Sequence, residues 1–241
     1  MAVRAATAVA APRLTTVDGG DAIKRAAVGA FAAHGYPGTS VREIASRAGM
    51  SVATIYHHYP AKLNILFEVM GDAMTRLIDE TERAVAAAGE DPVEQLRAAI
   101  TTHLVLHTQQ QDESFVGNSE LRSLTPPMRQ RIVAQRDRQQ RFFDRAVEQI
   151  GERCFPVKYP RDASRAIVTM CTSVAHWYRK DGELTPKELA ERYCDMSLAL
   201  LRGNSGRSRR PAWAREKRGV VPRARASSGS TSIGRGSDGR V

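Results

Sequence analysis

Cysteine is scarce in this chain, with three residues, Cys154, Cys171 and Cys194, among 241. An odd, widely spaced set supplies neither a disulfide framework nor a CxxC metal pair, so all three are expected to be reduced core residues. Long hydrophobic runs are also missing. There is no stretch of about 18 apolar residues and no charged-then-apolar leader, which gives the expectation of a cytoplasmic protein without a membrane partner. No segment alternates apolar and polar residues with period two, so strands are not expected and the chain reads as all-α. Catalytic signatures are equally thin. Neither a Gly-rich phosphate loop after a strand, nor a GxSxG elbow, nor a paired-carboxylate constellation occurs, so no enzyme activity and no cofactor are expected.

Apolar residues make up 42% of the chain, enough for a buried core, and the net charge is +10. The location of that charge says more than its size. Residues 204–241 hold ten Lys/Arg against two acidic residues, so +8 of the +10 lies there. This Gly-, Ser-, Pro- and Arg-rich segment has no apolar periodicity and is expected to be a disordered basic tail, either solvated without a specific role or holding DNA phosphates without sequence preference.

Residues 1–18 read as a flexible arm. After them Ile23, Ala26, Ala27, Ala30 and Phe31 form one helical stripe, closed by Gly35. Ser40 and Glu43 make an S-x-x-E capping box that opens a second helix with Val41, Ile44, Ala45 and Ala48 on its buried face. Gly49-Met50-Ser51 is a short turn, and Ser51 is the N-cap of a third helix from Val52 to about Tyr59. A long helix follows Pro60 to about Ala88, and further helices run from Pro92 to about Gln110, from 112 to 123, from Pro126 to about Ile150, through Ala163–Tyr178, and from a capping box at Thr185–Glu188 to about Gly203. The count is about nine helices.

Two short helices joined by a tight Gly-containing turn have the form of a helix-turn-helix, whose second helix enters the DNA major groove. The small residues Ser51, Ala53 and Thr54 allow close approach to base edges. Ile55 and Tyr59 point inward, while Tyr56 and His57 lie at the rim with polar tips suited to phosphate. Lys62 opposes the dipole of its own helix, which suggests that an anion shares the site. His57 and His58 are adjacent and diverge by about 100°, so they do not chelate a metal. His103 and His107 have the i, i+4 spacing of a metal pair, but with no Glu between them as in HExxH and no third ligand, metal is not expected.

The stretch TSVREIASRAGMSVATIYHHYPAKLNILF, with the helix before it, resembles the DNA-binding head of the TetR family of bacterial transcriptional repressors over about residues 21–67. That resemblance implies an all-α homodimer with a helix-turn-helix head at 19–67 and a ligand-binding and dimerisation body at 68–203. It also implies a palindromic double-stranded DNA operator and release by a small-molecule inducer. Thr39, Ser51, Thr54, Tyr56, His57 and Lys62 match positions that contact DNA in the family, and Ser40, Val52 and Ala53 complete the expected DNA-facing set. Val52-Ala53 stands where many relatives carry Lys-Gly, a departure that alters part of the base-edge and phosphate contact. A nucleoid-associated location follows from the same reading.

The body segments ELRSLTPPMRQRIVAQRDRQQRFF and CTSVAHWYRKDGELTPKELAERYCDMSLALL resemble those of actinobacterial regulators of lipid and steroid catabolism, some of which sense acyl-CoA thioesters. Phe115, Asn118, Arg122, Phe142, Phe143, His176 and Trp177 are the expected cavity residues, apolar walls with a few polar anchors. YCDMSLALL is apolar on more than one face, as a dimer helix is. The competing reading is a nonspecific or architectural nucleic-acid binder driven by the Arg-rich tail.

Overall fold

The computed structural model describes residues 16–203. Among them are nine α-helices, one 3₁₀ turn and no strand: α1 Thr16–Gly38, α2 Val41–Ala48, α3 Val52–His58, α4 Lys62–Ala87, α5 Pro92–Gln109, α6 Gln111–Ser119, the 3₁₀ turn Leu121–Ser123, α7 Pro126–Arg153, α8 Pro160–Trp177 and α9 Pro186–Gly203. The all-α expectation holds. Residues 16–18, read as part of an arm, are already helical, while 1–15 and the basic tail at 204–241 lie outside the described residues. No helix among those described is long and apolar enough to cross a membrane.

Local chemistry sets the helix ends. Gly35 leaves the helical region at φ 70°, ψ 163°, so α1 breaks there and ends in a short turn through Gly38. Ser40 caps α2 by accepting the Glu43 N–H at 3.1 Å, but the Glu43 carboxylate turns to Arg47 at 3.0 Å, so only half of the expected box forms. At α9 both halves form: Glu188 accepts the Thr185 N–H at 2.9 Å, and Thr185 Oγ1 accepts the Glu188 N–H at 3.3 Å.

Two apolar clusters organise the chain. The first joins Ile23, Ala27 and Phe31 of α1, Ile44 of α2, Ile55 of α3 and Ile65 and Leu66 of α4, and it continues into the body through Val116, Leu124 and Ile132. The head is therefore packed on the body. The second cluster lies among α5, α7, α8 and α9, with Leu104, Phe143, Ile167 and Leu201 fully buried. Cys171 and Cys194 are buried in it, whereas Cys154, expected in the core, is exposed because it falls just past the last turn of α7.

Phe143 has no exposed surface and sits at the centre of the second cluster. Phe143→Ala is expected to lower unfolding free energy by about 3–5 kcal/mol in urea titrations. A loss below about 1 kcal/mol would mean that the body is held elsewhere.

Candidate nucleic-acid interface and body cavity

Helix α3 is short and its two faces differ sharply. Ile55 and Tyr59 face inward, and burial, together with the hydrogen bond that the Tyr59 hydroxyl donates to Glu68 Oε2 at 3.0 Å, pushes the Tyr59 pKa up to about 12. Ala53, Tyr56 and His57 stand exposed at i, i+3 and i+4 on the opposite side, and Tyr56 is 52% exposed. Ser51 Oγ accepts the Thr54 N–H at 3.0 Å and pairs with the Thr54 hydroxyl at 2.8 Å, so the helix start is fixed by its own cap. His58 packs against α1 so closely that a Cβ on Gly19 would come within 3.0 Å of its ring.

Two residues of the expected DNA-facing set are placed differently. Thr39 is buried, and its hydroxyl donates to the carbonyls of Ala30 and Gly35 at 3.1 and 2.9 Å, so it ties off the end of α1 and presents no side chain to the surface. The Lys62 ammonium reaches back over 26 residues to the Tyr36 carbonyl at 2.7 Å, donates also to the Thr39 carbonyl at 2.6 Å, and lies 4.2 Å from the Tyr36 ring centroid. In place of the expected anion it meets neutral carbonyl oxygens at the end of α1, which carry the partial negative charge of that helix end. Burial lowers its pKa, partly offset by the nearby Glu120 carboxylate. Two of its three N–H donors are used in this way.

Glu120 is buried at the C-terminal end of α6 and joins body to head. Its Oε1 accepts the Tyr36 N–H at 3.2 Å, and its Oε2 accepts the Ser123 hydroxyl at 2.8 Å. Elsewhere α6 is tied by polar side chains: Gln111 donates to the carbonyls of Ala175 and Tyr178, and Arg136 donates to that of Gly117 at 2.7 Å.

A cavity of about 590 Å³ lies among α4, α5, α6, α7 and α8. Of the seven residues expected to line it, only Asn118 does. Phe143 is in the core, Phe142 packs on that core, Phe115 and His176 pair with each other at 5.5 Å between ring centroids, and Arg122 and Trp177 are exposed. The lining instead combines Met70, Met74, Leu77 and Ile132 with His103, His107, Arg136 and Gln139. The two histidine rings stack at 4.1 Å, His103 Nε2 bonds the Thr172 hydroxyl at 3.1 Å, and His107 Nδ1–H donates to the His103 carbonyl at 2.9 Å. Burial holds both rings neutral. It lowers His103, assisted by His107, and brings His107 down to about 4 against the opposing effect of its backbone hydrogen bond, with Arg136 adding to the depression. No group of three metal-ligating side chains occurs among the described residues.

A three-helix head with a helix-turn-helix, mounted on a helical body with a cavity, defines a DNA-binding regulator. Family comparisons agree with this class. The model for bacterial regulatory proteins of the tetR family matches residues 23–69, and the tetracyclin repressor-like C-terminal domain model matches 89–201. The HTH-type transcriptional repressor KstR2 of Mycolicibacterium smegmatis is 23% identical over 189 residues, covering 77% of this chain and 92% of the relative. A bacterial regulatory protein of the tetR family from Rhodococcus RHA1 superposes with a TM-score of 0.70 at 27% identity, covering 76% of this chain and 96% of that one. AibR, solved with isovaleryl coenzyme A and operator DNA, has a TM-score of 0.66 at 27% identity, covering 74% and 97%. The chain belongs to the TetR family of bacterial transcriptional regulators.

The buried histidines set a pH dependence. An unfolded histidine takes up a proton near pH 6.5, whereas His107 in the fold resists protonation until about 4. Its contribution is therefore complete above about pH 6.5 and is lost as pH falls towards 4, on the order of 3 kcal/mol in all. Urea midpoints measured between pH 7 and 4 should fall less steeply in His107→Gln than in wild type. Identical slopes would remove His107 from the account.

Proposed function

We propose that this chain is a homodimeric repressor that reads a palindromic operator with α3 and releases it when a coenzyme A thioester occupies the body cavity. The observation that carries the reading is the arrangement of charge beside the cavity. A neighbouring groove of about 320 Å³ shares Arg141, Asp144 and Arg165 with the cavity and adds Arg145, Arg161 and Glu148. Four guanidinium groups against two carboxylates suit the phosphates of a coenzyme A handle, and the methionine- and leucine-lined interior suits an acyl group. The AibR complex with isovaleryl coenzyme A and operator DNA supports this chemistry for a similar fold.

In this reading Ala53, Tyr56 and His57 face the major groove, Val52 flanks them, and Ser40, Ser51, Thr54 and the spare donor of Lys62 take phosphate. Dimerisation uses the outward faces of α8 and α9. Ala166, Met170, Ser173 and Trp177 form one stripe on α8, and Met196, at 47% exposed, with Ala199 and Leu200 forms another on α9. Pairing through them would set two α3 helices about 34–36 Å apart, matching successive major grooves. The tail at 204–241 carries the competing reading of nonspecific binding, which needs no α3 contact.

Selection of genomic fragments by the purified protein at fixed near-physiological salt tests this reading. Wild type should enrich one palindrome, and Tyr56→Ala should bind it about tenfold or more weakly. Sequence-blind enrichment, unchanged in Tyr56→Ala but abolished by removing 204–241, would transfer the activity to the tail.

Glu120 offers a separate check on coupling. Glu120→Gln should still bind the selected operator, while the weakening of operator affinity by a releasing thioester falls about fivefold or more. Undiminished release would show that the signal does not pass through the Tyr36 contact.

A further inference from the structure

Among the described residues only two arginines, Arg97 and Arg136, are half-buried; the others are exposed. Arg97 is matched by acids, with Asp195 at 3.2 Å and Glu94 at 3.9 Å. Arg136 has no carboxylate partner among the described residues. It gives one N–H to the Gly117 carbonyl of α6 at 2.7 Å, which leaves most of the guanidinium donors unused. Burial lowers its pKa, and no neighbouring acid opposes that effect. A charge held partly out of water without a counter-ion is costly unless an anion arrives from outside the chain. The place where this happens is the cavity wall. Arg136 stands one turn after Ile132 on the lining face of α7, while Gly117 lines the cavity from α6 and His107 from α5. The guanidinium field reaches the His107 ring and helps to hold it neutral, so the charge itself, and not only the side-chain stem, lies at this wall. Unlike its buried neighbours His103 and Gln139, Arg136 keeps surface that an occupant can touch. Three carboxylates line the same cavity, but Asp137 is exposed, Asp144 accepts from Gln140 and Ser164, and Glu113 forms no ion pair among the described residues.

The groove arginines lie apart from it. Arg141, Arg145, Arg161 and Arg165 line the groove, and Arg136 does not. Along α7 the rise from Arg136 is about 7.5 Å to Arg141 and about 13.5 Å to Arg145. A thioester whose phosphates occupy the groove therefore brings its acyl part, not its handle, to Arg136, beside the apolar surface of Met70, Met74 and Ile132. A plain hydrocarbon end would complete the desolvation of the guanidinium and leave it unpaired. A ketone or hydroxyl would accept a hydrogen bond without neutralising the charge, whereas a carboxylate supplies the missing counter-ion through a forked pair of hydrogen bonds. We propose that the cavity selects a thioester whose acyl chain ends in a second, free carboxylate that pairs with Arg136, a dicarboxylic acid joined to coenzyme A at one end only. The proposal rests on reading the cavity and groove as the site of a coenzyme A thioester inducer, and it specifies the acyl part of that inducer.

The test is isothermal titration of the full chain with adipoyl-, suberoyl- and sebacoyl-CoA, each beside its plain counterpart hexanoyl-, octanoyl- or decanoyl-CoA, repeated with Arg136→Gln. Each pair shares one handle and one chain length, so the ratio of affinities reports the terminal carboxylate alone. In wild type the best carboxylated thioester should bind at least about tenfold more tightly than its counterpart. Arg136→Gln should bring that ratio to within about twofold, chiefly by weakening the carboxylated member, and a preference that survives in this variant overturns the assignment to Arg136. If the variant does not fold, the monomethyl ester of the best ligand carries the test on wild type. The ester keeps the chain and removes the charge, so it should bind like the plain thioester, and binding as tight as that of the free acid overturns the proposal. Binding of every pair to wild type within about twofold overturns it while leaving the inducer reading intact. A loss of about tenfold shared equally by both members in Arg136→Gln assigns Arg136 to the handle phosphates and overturns it as well. If none of the six thioesters binds, the coenzyme A reading falls and this proposal with it.

Discussion

The buried carboxylate of Glu120 is the contact that ties α6, which lines the cavity, to the turn from which α2 and α3 follow. Gly35 ends α1 by turning to positive φ, which leaves the carbonyls of the last turn exposed at the junction of head and body. The Thr39 hydroxyl takes two carbonyls of that region, the Lys62 ammonium takes those of Tyr36 and Thr39, and Glu120 takes the Tyr36 N–H. A buried anion and a half-buried cation thus hold one turn of backbone between them, with the Tyr36 ring packed under the lysine. The two charges act on the same turn without pairing directly: Lys62 takes its carbonyls, Glu120 takes its N–H, and the carboxylate is felt by the ammonium only through its field. From this turn α2 and then α3 follow, so the pose of the side chains proposed to face DNA is set by it.

The same contact explains why α6 suits a relay. Only Val116 and the terminal Glu120 side are well buried, and the helix is held mainly by Gln111, Arg136 and Glu120 at three places along it. A nine-residue helix with one buried apolar anchor has little packing energy to lose by shifting. Polar ties can exchange partners where a close-packed core cannot. Glu113, Ser114, Gly117 and Asn118 of this helix line the cavity, so a molecule there touches the element that Glu120 connects to the head.

Much of this was legible in the sequence, for physical reasons that also mark where legibility stopped. Stripes such as Ile23, Ala27 and Phe31 and the caps at Ser40, Ser51 and Thr185 are local signals, and local chemistry decided those elements. Lys62 was read against the dipole of its own helix, but its partner is the end of α1, 26 residues upstream, and no local rule reports that. Thr39 matched a DNA-facing position by resemblance, whereas the break at Gly35 turned it inward. The cavity was misjudged most. Phe142 and Phe143 fit a ligand wall by residue type, yet large rings at regular stripe positions filled the core. A usable signal lay in the polar residues interrupting apolar stripes: Gln139 falls between Ile132 and Phe143 on the buried face of α7, and His103 beside Leu104 on that of α5. A polar side chain in such a place needs a polar partner, and a cavity supplies one.

Trp177 shows how the misplaced residues fit the architecture after all. It lies on the outward side of α8, 51% exposed, whereas Arg165, Val168 and Thr172 of the same helix look into the cavity. One helix therefore has the cavity on one side and the proposed dimer seam on the other. An occupant that pushes on Val168 or draws Arg165 inward must either be absorbed by α8 or passed to the seam, and a helix packed on the Phe143 core bends little. In the proposed dimer, displacement at the seam would rotate one protomer against the other and change the spacing of the two α3 helices, while displacement of α6 would tilt each head through Glu120. Both routes leave from the same cavity wall, and they differ in what they require. The seam route needs a second chain, whereas the Glu120 route operates within one.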